Sequence, residues 1–499
     1  MISFEKIKDF FSPLEEESEK SSHRSFPDEI FREYDIRGIV GSTLFEEDGY
    51  DIGKAFGTVL ARKNLKKICV GYDCRLSSDK ISKNLLNGLL DSGIEVISLG
   101  LCHTPLVYYS VNKLDLDGGI MVTGSHNPPE YNGFKFMLGR DPFYGDSIKG
   151  LAQLIKKKDY IDGIGREIVM NNVFRTYVNE IIRDFQFNND IKVAWDIGNG
   201  ATSNAIKAVT TLIPGKHHVL FEEIDGTFPN RPPDPIVARN VRYLSKFVSY
   251  NGFDIGFAFD SDGDRLCVVN NKGEVLFSDQ VLTVLAKDFL KKNPGAQVIA
   301  DVKSCDRLFD IIRVCGGIGL MERVGHSFIK SRMKSSGALL AGELSGHFFF
   351  KDRWYGFDDA IYAALRCLEI LCADKNAFTD LPYGFVTPEI RITCEEDEKF
   401  KIIDSLKADL REKNMSVVDI DGVRVSTDIG WWVLRASNTQ NALSLRIEAY
   451  SEKAMYKLKH EISDYLCEYI PDILDFLRDE PKEEDDNHNA FQTNLFSSV

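Results

Sequence analysis

Two hydrophobic rhythms alternate along the chain. Short unbroken apolar runs at 67–71, 96–99, 119–123, 192–196, 255–259, 298–302 and 339–341 have the length and composition of buried strands. Apolar residues recur at helical spacing over 81–91, 151–157, 173–185, 279–290, 306–314 and 358–372. That alternation predicts an α/β fold, with sheets covered by helices. Three runs share a further feature. KKICVGYDCR, IKVAWDIGNG and AQVIADVKSCDR each pass from an apolar strand to an aspartate (Asp73, Asp196, Asp301) and then through a loop into a helix. A triplicated α/β unit explains this echo. Strand-end chemistry common to α/β proteins explains it equally well.

From 389 onward the pattern changes to strand (390–394), helix (398–412), strands (from 417, then 431–435 and 443–449) and helix (451–466). This reads as a small α+β domain behind a linker at 382–388. The first 25 residues are polar, with a short helix expected at 2–11, and an acidic run at 479–486 opens a polar tail. The division read from these shifts is an extension (1–26), three α/β domains (27–171, 172–275 and 276–386), an α+β domain (387–478) and a tail (479–499). A length of 499 residues agrees, since roughly 100–200 residues make one domain.

Composition narrows the class of function. The chain is 43% hydrophobic and 27% charged, which excludes bulk disorder. A net charge of −15 argues against a nucleic-acid partner, which needs a basic footprint, but leaves room for one basic pocket. No apolar run is long enough to span a bilayer, and the richest, 360–373, contains Arg366 and Glu369. Glu15, Glu16, Glu17 and Glu19 replace the apolar core that a signal peptide would need. Ten dispersed cysteines without a CxxC pair read as free thiols in a reducing, cytoplasmic setting.

Four loops carry candidate chemistry. Thr123-Gly124-Ser125-His126-Asn127-Pro128 follows an apolar strand, where glycine permits a sharp turn that exposes the serine oxygen. Asp260-Ser261-Asp262-Gly263-Asp264-Arg265 offers three carboxylates at alternate positions, an oxygen-only set suited to a hard divalent cation. It is not an EF-hand, because its glycine falls too early and its twelfth position is Asn271. Gly342-Glu343-Leu344-Ser345-Gly346-His347 supplies acceptors and donors for reading hydroxyls. Arg435-Ala436-Ser437-Asn438-Thr439 combines a guanidinium with hydroxyls and backbone N–H groups, a phosphate cradle. Each loop, taken alone, also reads as a polar turn or hairpin. Collected in one cleft beyond the strand ends, they suit phosphoryl transfer on a sugar phosphate.

Jointly, TGSHNP with NGFK (132–135), DSDGDR, GELSGH and RASNT resemble the α-D-phosphohexomutase family, most closely its phosphomannomutase/phosphoglucomutase branch. FREYDIRG (31–38) and VGHSFIK (324–330) extend the likeness to about 27–477. The resemblance implies three related mixed α/β domains and a smaller C-terminal α+β domain around a central cleft. It implies Ser125 as the phosphoryl carrier, with Arg37, Lys135, His126, His326 and His347 in the catalytic set. Asp260, Asp262 and Asp264, with a phosphoserine oxygen of Ser125, would bind Mg²⁺. Glu343 and Ser345 would read the sugar; Arg435, Ser437, Asn438 and Thr439 would clamp the distal phosphate; Tyr34, Arg265 and Lys303 would join the substrate contacts. Lys135, His326 and His347 all stand as candidate bases.

The implied activity interconverts the 1- and 6-phosphates of mannose, glucose or both, through a hexose 1,6-bisphosphate that also serves as activator. Such an enzyme needs a small phosphosugar and no nucleic-acid or membrane partner, and works as a monomer or a dimer. Where the family usually has proline after its phosphate loop, this chain has Asn441. A phosphoglucosamine mutase is the rival enzyme, but that branch usually carries alanine before the serine and glutamine in the sugar loop, where this chain has Gly124 and Leu344. A silent phosphosugar-binding protein would not need a nucleophile beside a metal.

Overall fold

Each of the three strand–aspartate segments forms the middle of a sheet. The computed structural model describes residues 26–477, apart from 171, 188–189, 380, 382–383 and 438–440. The expected helix at 2–11 and the tail lie outside the described residues. Lys67–Tyr72, Lys192–Asp196 and Gln297–Asp301 each lie between two parallel neighbours. The next strand in the chain lies on one side: Glu95–Leu101, Lys216–Leu220 or Ile318–Glu322. The third lies on the other: Gly118–Val122, Ile255–Phe259 or Leu340–Gly342. It then returns as an antiparallel fourth strand: Tyr131–Leu138, Leu266–Asn270 or Phe348–Phe350. The order second–first–third–fourth is thus repeated in three units, I, II and III. Unit I adds Ile36–Ile39 on its fourth strand and Arg166–Val169 on its second.

Two helices cross over in each unit. The first set, Ser78–Leu90, Ser203–Leu212 and Asp306–Val314, follows the strand-end aspartate. The second set is Thr104–Lys113, Arg242–Asn251 and His326–Ser336. Periodicity misses the first of these for a physical reason: Thr104–Val111 is buried on every side and shows no amphipathic stripe. The helix read at 358–372 runs over Ala360–Ala373, because the Asp359 carboxylate accepts the Tyr362 N–H and caps it.

The C-terminal sheet is antiparallel and packs the helices Glu396–Glu412 and Glu452–Leu466 over its own apolar core. The expected linker at 382–388 is corrected in part. Ile390–Thr393 pairs only with the 442–445 half of the long strand Ala442–Ala449, and Phe385–Val386 pairs with the other end at Glu448 and Ala449. Arg424 and Arg446 fasten this domain to unit III by donating to the carbonyls of Val302, Ser304 and Lys303. One apolar cluster, including Tyr109, Trp195, Phe257, Phe289 and Trp354, runs through units I to III. Among the described residues, no helix is long and apolar enough to cross a membrane.

Candidate active site

The connection between the third and fourth strands carries a predicted loop in all three units, and the repeated topology brings those loops together. In unit I the loop winds tightly enough that Ser125 takes a left-handed φ of 49°. Side-chain sterics disfavour this for an L residue by roughly 1–2 kcal/mol. The Ser125 N–H donates to Thr123 Oγ1 at 2.8 Å, and the Thr123 hydroxyl donates to Asp73 at 2.7 Å. Buried Ser125 Oγ lies 3.1 Å from Asp260 Oδ2 and 3.3 Å from His126 Nδ1. Gly124 leaves no room for a side chain: a Cβ there would lie 2.6 Å from the Arg75 guanidinium carbon and 2.7 Å from the Tyr131 carbonyl oxygen.

The unit II loop curls around Asp260, whose Oδ1 accepts the N–H groups of Gly263, Asp264 and Arg265 at 3.0–3.1 Å. Asp260, Asp262 and Asp264 are fully buried and offer oxygens within 4.8 Å of one another. Asp262 Oδ1 and Asp264 Oδ1 have no hydrogen-bond partner among the described residues. Burial and the two neighbouring carboxylates push Asp260 well above the usual range. Burial pushes Asp264 the same way, but Lys135 and His347 outweigh it and hold that carboxyl well down. Lys135 Nζ donates to Asp262 at 2.6 Å and to Asp264. Three buried carboxylates crowded at close quarters, with Asp262 Oδ1 left without a partner, fit a hard divalent cation.

The unit III loop brings in the histidine. His347 Nδ1 lies 2.9 Å from Ser345 Oγ and 3.1 Å from Glu343 Oε2, and its Nε2 lies 3.3 Å from Asp264 Oδ1. Burial disfavours the imidazolium, but Asp264 and Glu343 outweigh it and raise the His347 pKa. His126 and His326 go the other way: burial, then neighbouring cations, holds both well below the ordinary value. Glu343 Oε1 accepts the Gly325 N–H at 2.6 Å, tying the 343–347 loop to the 324–330 segment. There the Tyr34 hydroxyl donates to the Val324 carbonyl at 2.6 Å.

Most of these side chains, the three buried aspartates excepted, line one cleft of about 920 Å³. Ser125, His126, Lys135, Arg37 and Tyr34 come from unit I, Arg265 from unit II, and Lys303, His326, Glu343, Ser345 and His347 from unit III. Arg435 and Ser437 close it from the C-terminal domain, while Asn438 and Thr439 lie outside the described residues. More cationic than anionic side chains face the cleft, a local basic pocket in an acidic chain. At the departure from the family pattern, the Asn441 carbonyl accepts the Cys394 N–H at 3.1 Å and ties the loop to the neighbouring strand.

Sequence reasoning missed several residues here. Arg391 and Glu389 line the cleft, and Glu389 pairs with Lys303 at 3.2 Å. Burial would raise Glu389, but Lys303, Ser444, Arg435 and Arg391 bring it down to about 2. Asp421 accepts from Arg435 Nε at 2.9 Å and from the Val324 N–H at 3.0 Å, linking Arg435 to the His326 segment. Asp35 beside Arg37 had a local signal in FREYDIRG; Glu389 and Asp421 had none, because their partners are remote in sequence.

Comparison with known proteins gives a consistent result. Family models described as phosphoglucomutase/phosphomannomutase, alpha/beta/alpha domains I, II and III, match residues 28–162, 175–273 and 277–383, and the model of the C-terminal domain matches 389–464. A phosphomannomutase/phosphoglucomutase of Pseudomonas aeruginosa is 42% identical over 439 residues, covering 87% of this chain and 95% of that protein. A phosphoglucomutase of Neisseria meningitidis is 40% identical over 440 residues, with the same coverage of 87% and 95%. A crystal structure of a phosphoglucomutase/phosphomannomutase family protein from Burkholderia thailandensis superposes with a TM-score of 0.84 at 38% identity, covering 89% of this chain and 98% of that one.

Proposed function

Because the chain belongs to the phosphoglucomutase/phosphomannomutase family, we infer that it interconverts hexose 1-phosphates and hexose 6-phosphates by passing a phosphoryl group through Ser125. The observation that carries this reading is the distance of 3.1 Å between Asp260 and the Oγ of Ser125, which lines a basic cleft. Asp260, Asp262 and Asp264 would hold a divalent cation, for which Mg²⁺ is our choice, and it would draw charge from a phosphoserine ester.

The residues divide the work. Arg435 and Ser437, with Asn438 and Thr439, would hold the phosphate that is not reacting. Glu343 and Ser345 would hold the sugar by hydroxyls common to glucose and mannose, so that both sugars fit in either direction. The attacking hydroxyl forms a bond to phosphorus as the bond from phosphorus to Ser125 Oγ breaks. Its proton goes to His347, the imidazole flanked by the carboxylates of Asp264 and Glu343 that stabilise its protonated form. Arg37, Lys135 and Arg265 meet the charge on the moving phosphoryl group. The resulting 1,6-bisphosphate turns end over end and returns its other phosphoryl group to Ser125. A hexose 1,6-bisphosphate from solution would charge an unphosphorylated Ser125, hence its part as activator. Thiols left free, among them Cys69, Cys102 and Cys305, suit a reducing compartment, and we take the cytoplasm as the place of work.

The test is a Mg²⁺-dependent conversion assay with glucose 1-phosphate, mannose 1-phosphate and glucosamine 1-phosphate, each with a trace of hexose 1,6-bisphosphate. Comparable rates on the first two and little on the third are expected. Dominance of glucosamine 1-phosphate would move the chain to the phosphoglucosamine mutases. No turnover on any of the three would overturn the reading.

A further inference from the structure

The Ser125 loop is held from behind by a residue that the reaction itself does not use. Arg75 lies just past the first strand of unit I and is 2% exposed. A guanidinium has five N–H donors in a fixed fork. Here each of the five has an acceptor: Nε meets Asp73 Oδ2 at 3.2 Å, Nη1 meets the carbonyls of Pro128 and Tyr131 at 2.5 and 2.9 Å, and Nη2 meets those of Ser125 and Asn127 at 2.6 and 2.5 Å. The loop is wound around one side chain.

Ser125 is gripped at both of its peptide groups. Its N–H reaches Asp73 through the Thr123 hydroxyl, and its carbonyl reaches the same Asp73 through Arg75. The circuit closes around the residue with the left-handed φ of 49°. Unit II adds two contacts: the Ser261 hydroxyl donates to the Ser125 carbonyl at 2.5 Å, and the Phe228 ring covers the Arg75 guanidinium at 5.2 Å. A disfavoured backbone conformation persists where its surroundings over-determine it.

We propose that Arg75 is a positioning residue for phosphoryl transfer: with Asp73 and Ser261 it fixes the left-handed backbone of Ser125 and keeps Oγ aimed at Asp260. This rests on the reading of Ser125 as the phosphoryl carrier. Lysine in place of Arg75 keeps one positive charge but cannot reach five acceptors in a planar fork. The loop would then relax, and a displacement of about 1 Å at the reacting atom costs on the order of 100-fold in rate. The phosphate clamp, on another domain, would be untouched.

The experiment uses the full chain, dephosphorylated, as wild type, Arg75→Lys, Arg75→Ala and Ser261→Ala. Each is mixed with ³²P-labelled glucose 1,6-bisphosphate and Mg²⁺ and quenched rapidly, and the labelled residue is identified by mass spectrometry. Affinity for glucose 1-phosphate is measured calorimetrically on the same preparations. Arg75→Lys is expected to label Ser125 about 100-fold more slowly than wild type, with a Kd within about threefold, and Ser261→Ala about tenfold more slowly. A folded Arg75→Lys that labels at the wild-type rate, or that loses rate and affinity together, overturns the proposal. If the Arg75 variants do not fold, Ser261→Ala decides alone: a slowed rate supports the proposal and a wild-type rate overturns it. Label on a residue other than Ser125 in the wild type would instead overturn the phosphoserine reading.

Discussion

The Ser125 loop of unit I and the Ser345 loop of unit III occupy the same place in the same topology and are tied down by the same bond. The Gly124 N–H donates to Asp73 Oδ2 at 3.3 Å, and the Leu344 N–H donates to Asp301 Oδ2 at 2.7 Å. Two things differ. In unit I the serine itself carries the left-handed φ, whereas in unit III Gly346 takes it, with a φ of 91°. Glycine adopts that conformation at little cost, and serine does not. Asp73 is also paired with the Arg75 guanidinium, whereas Asp301 has no ion pair among the described residues and is held by the N–H groups of Lys303 and Leu344. Topology decides where such a loop goes; the counter-charge behind it decides how firmly it is held. The firmly held copy carries the residue assigned to the covalent step.

The sharpest way to break this comparison is to remove the two serines. Ser125→Ala is expected to abolish net mutase turnover, while Ser345→Ala raises KM about tenfold and leaves kcat within about threefold, the loss of one hydrogen bond. Near-normal turnover by Ser125→Ala, in a coupled assay with glucose 1-phosphate, would remove the covalent assignment.

Next come the two aspartates. Asp73→Asn disturbs both the Thr123 and the Arg75 arms of the brace, so kcat should fall about 100-fold. Asp301→Asn disturbs the loop proposed to hold the sugar and should cost less than about tenfold. Equal losses in steady-state kinetics would mean that the two braces do the same work.

A third contrast concerns the residue before each serine. Unit III accepts leucine there, whereas a Cβ at Gly124 would sit within 2.7 Å of both the Arg75 guanidinium and a backbone oxygen. Gly124→Ala should therefore lose about 3 kcal/mol in urea unfolding, toward the upper end for overpacking. An unchanged midpoint would show that the loop gives way, and would weaken the use of Gly124 to separate hexose from glucosamine mutases.

What the sequence made legible follows from the range of each signal. The central strands, their terminal aspartates and the Gly-, Ser- and Asp-bearing loops are local patterns, and the echo at Asp73, Asp196 and Asp301 marks three copies of one topology. Arg75 stands inside one of the quoted runs, yet its four carbonyl acceptors lie 50 to 56 residues further along, and nothing in the run points to them. Asp421 and Glu389 pair with residues of another unit that no local pattern names. The strand Phe385–Val386 is invisible to periodicity because it has only two residues, and only the half of Ala442–Ala449 that Ile390–Thr393 leaves uncovered explains it.

The smallest effect tests the electrostatic half of the comparison. Burial is the main cause that pushes Asp301 up to about 6; Glu343 adds to it and Lys303 opposes it. A carboxyl whose pKa is higher folded than unfolded binds more protons in the folded state, so its contribution to stability is complete below about pH 4 and is lost as pH rises through 6. Wild-type stability should therefore fall with rising pH across that window by about 1–2 kcal/mol more than that of Asp301→Asn. Asparagine would itself weaken the bond to the Leu344 N–H, so the absolute stabilities are not the readout. The readout is the difference between the two urea unfolding curves as a function of pH. A difference that stays constant from pH 4 to 6 would mean that Asp301 is compensated as well as its counterpart in unit I, and the contrast between the two loops would then rest on the left-handed serine alone.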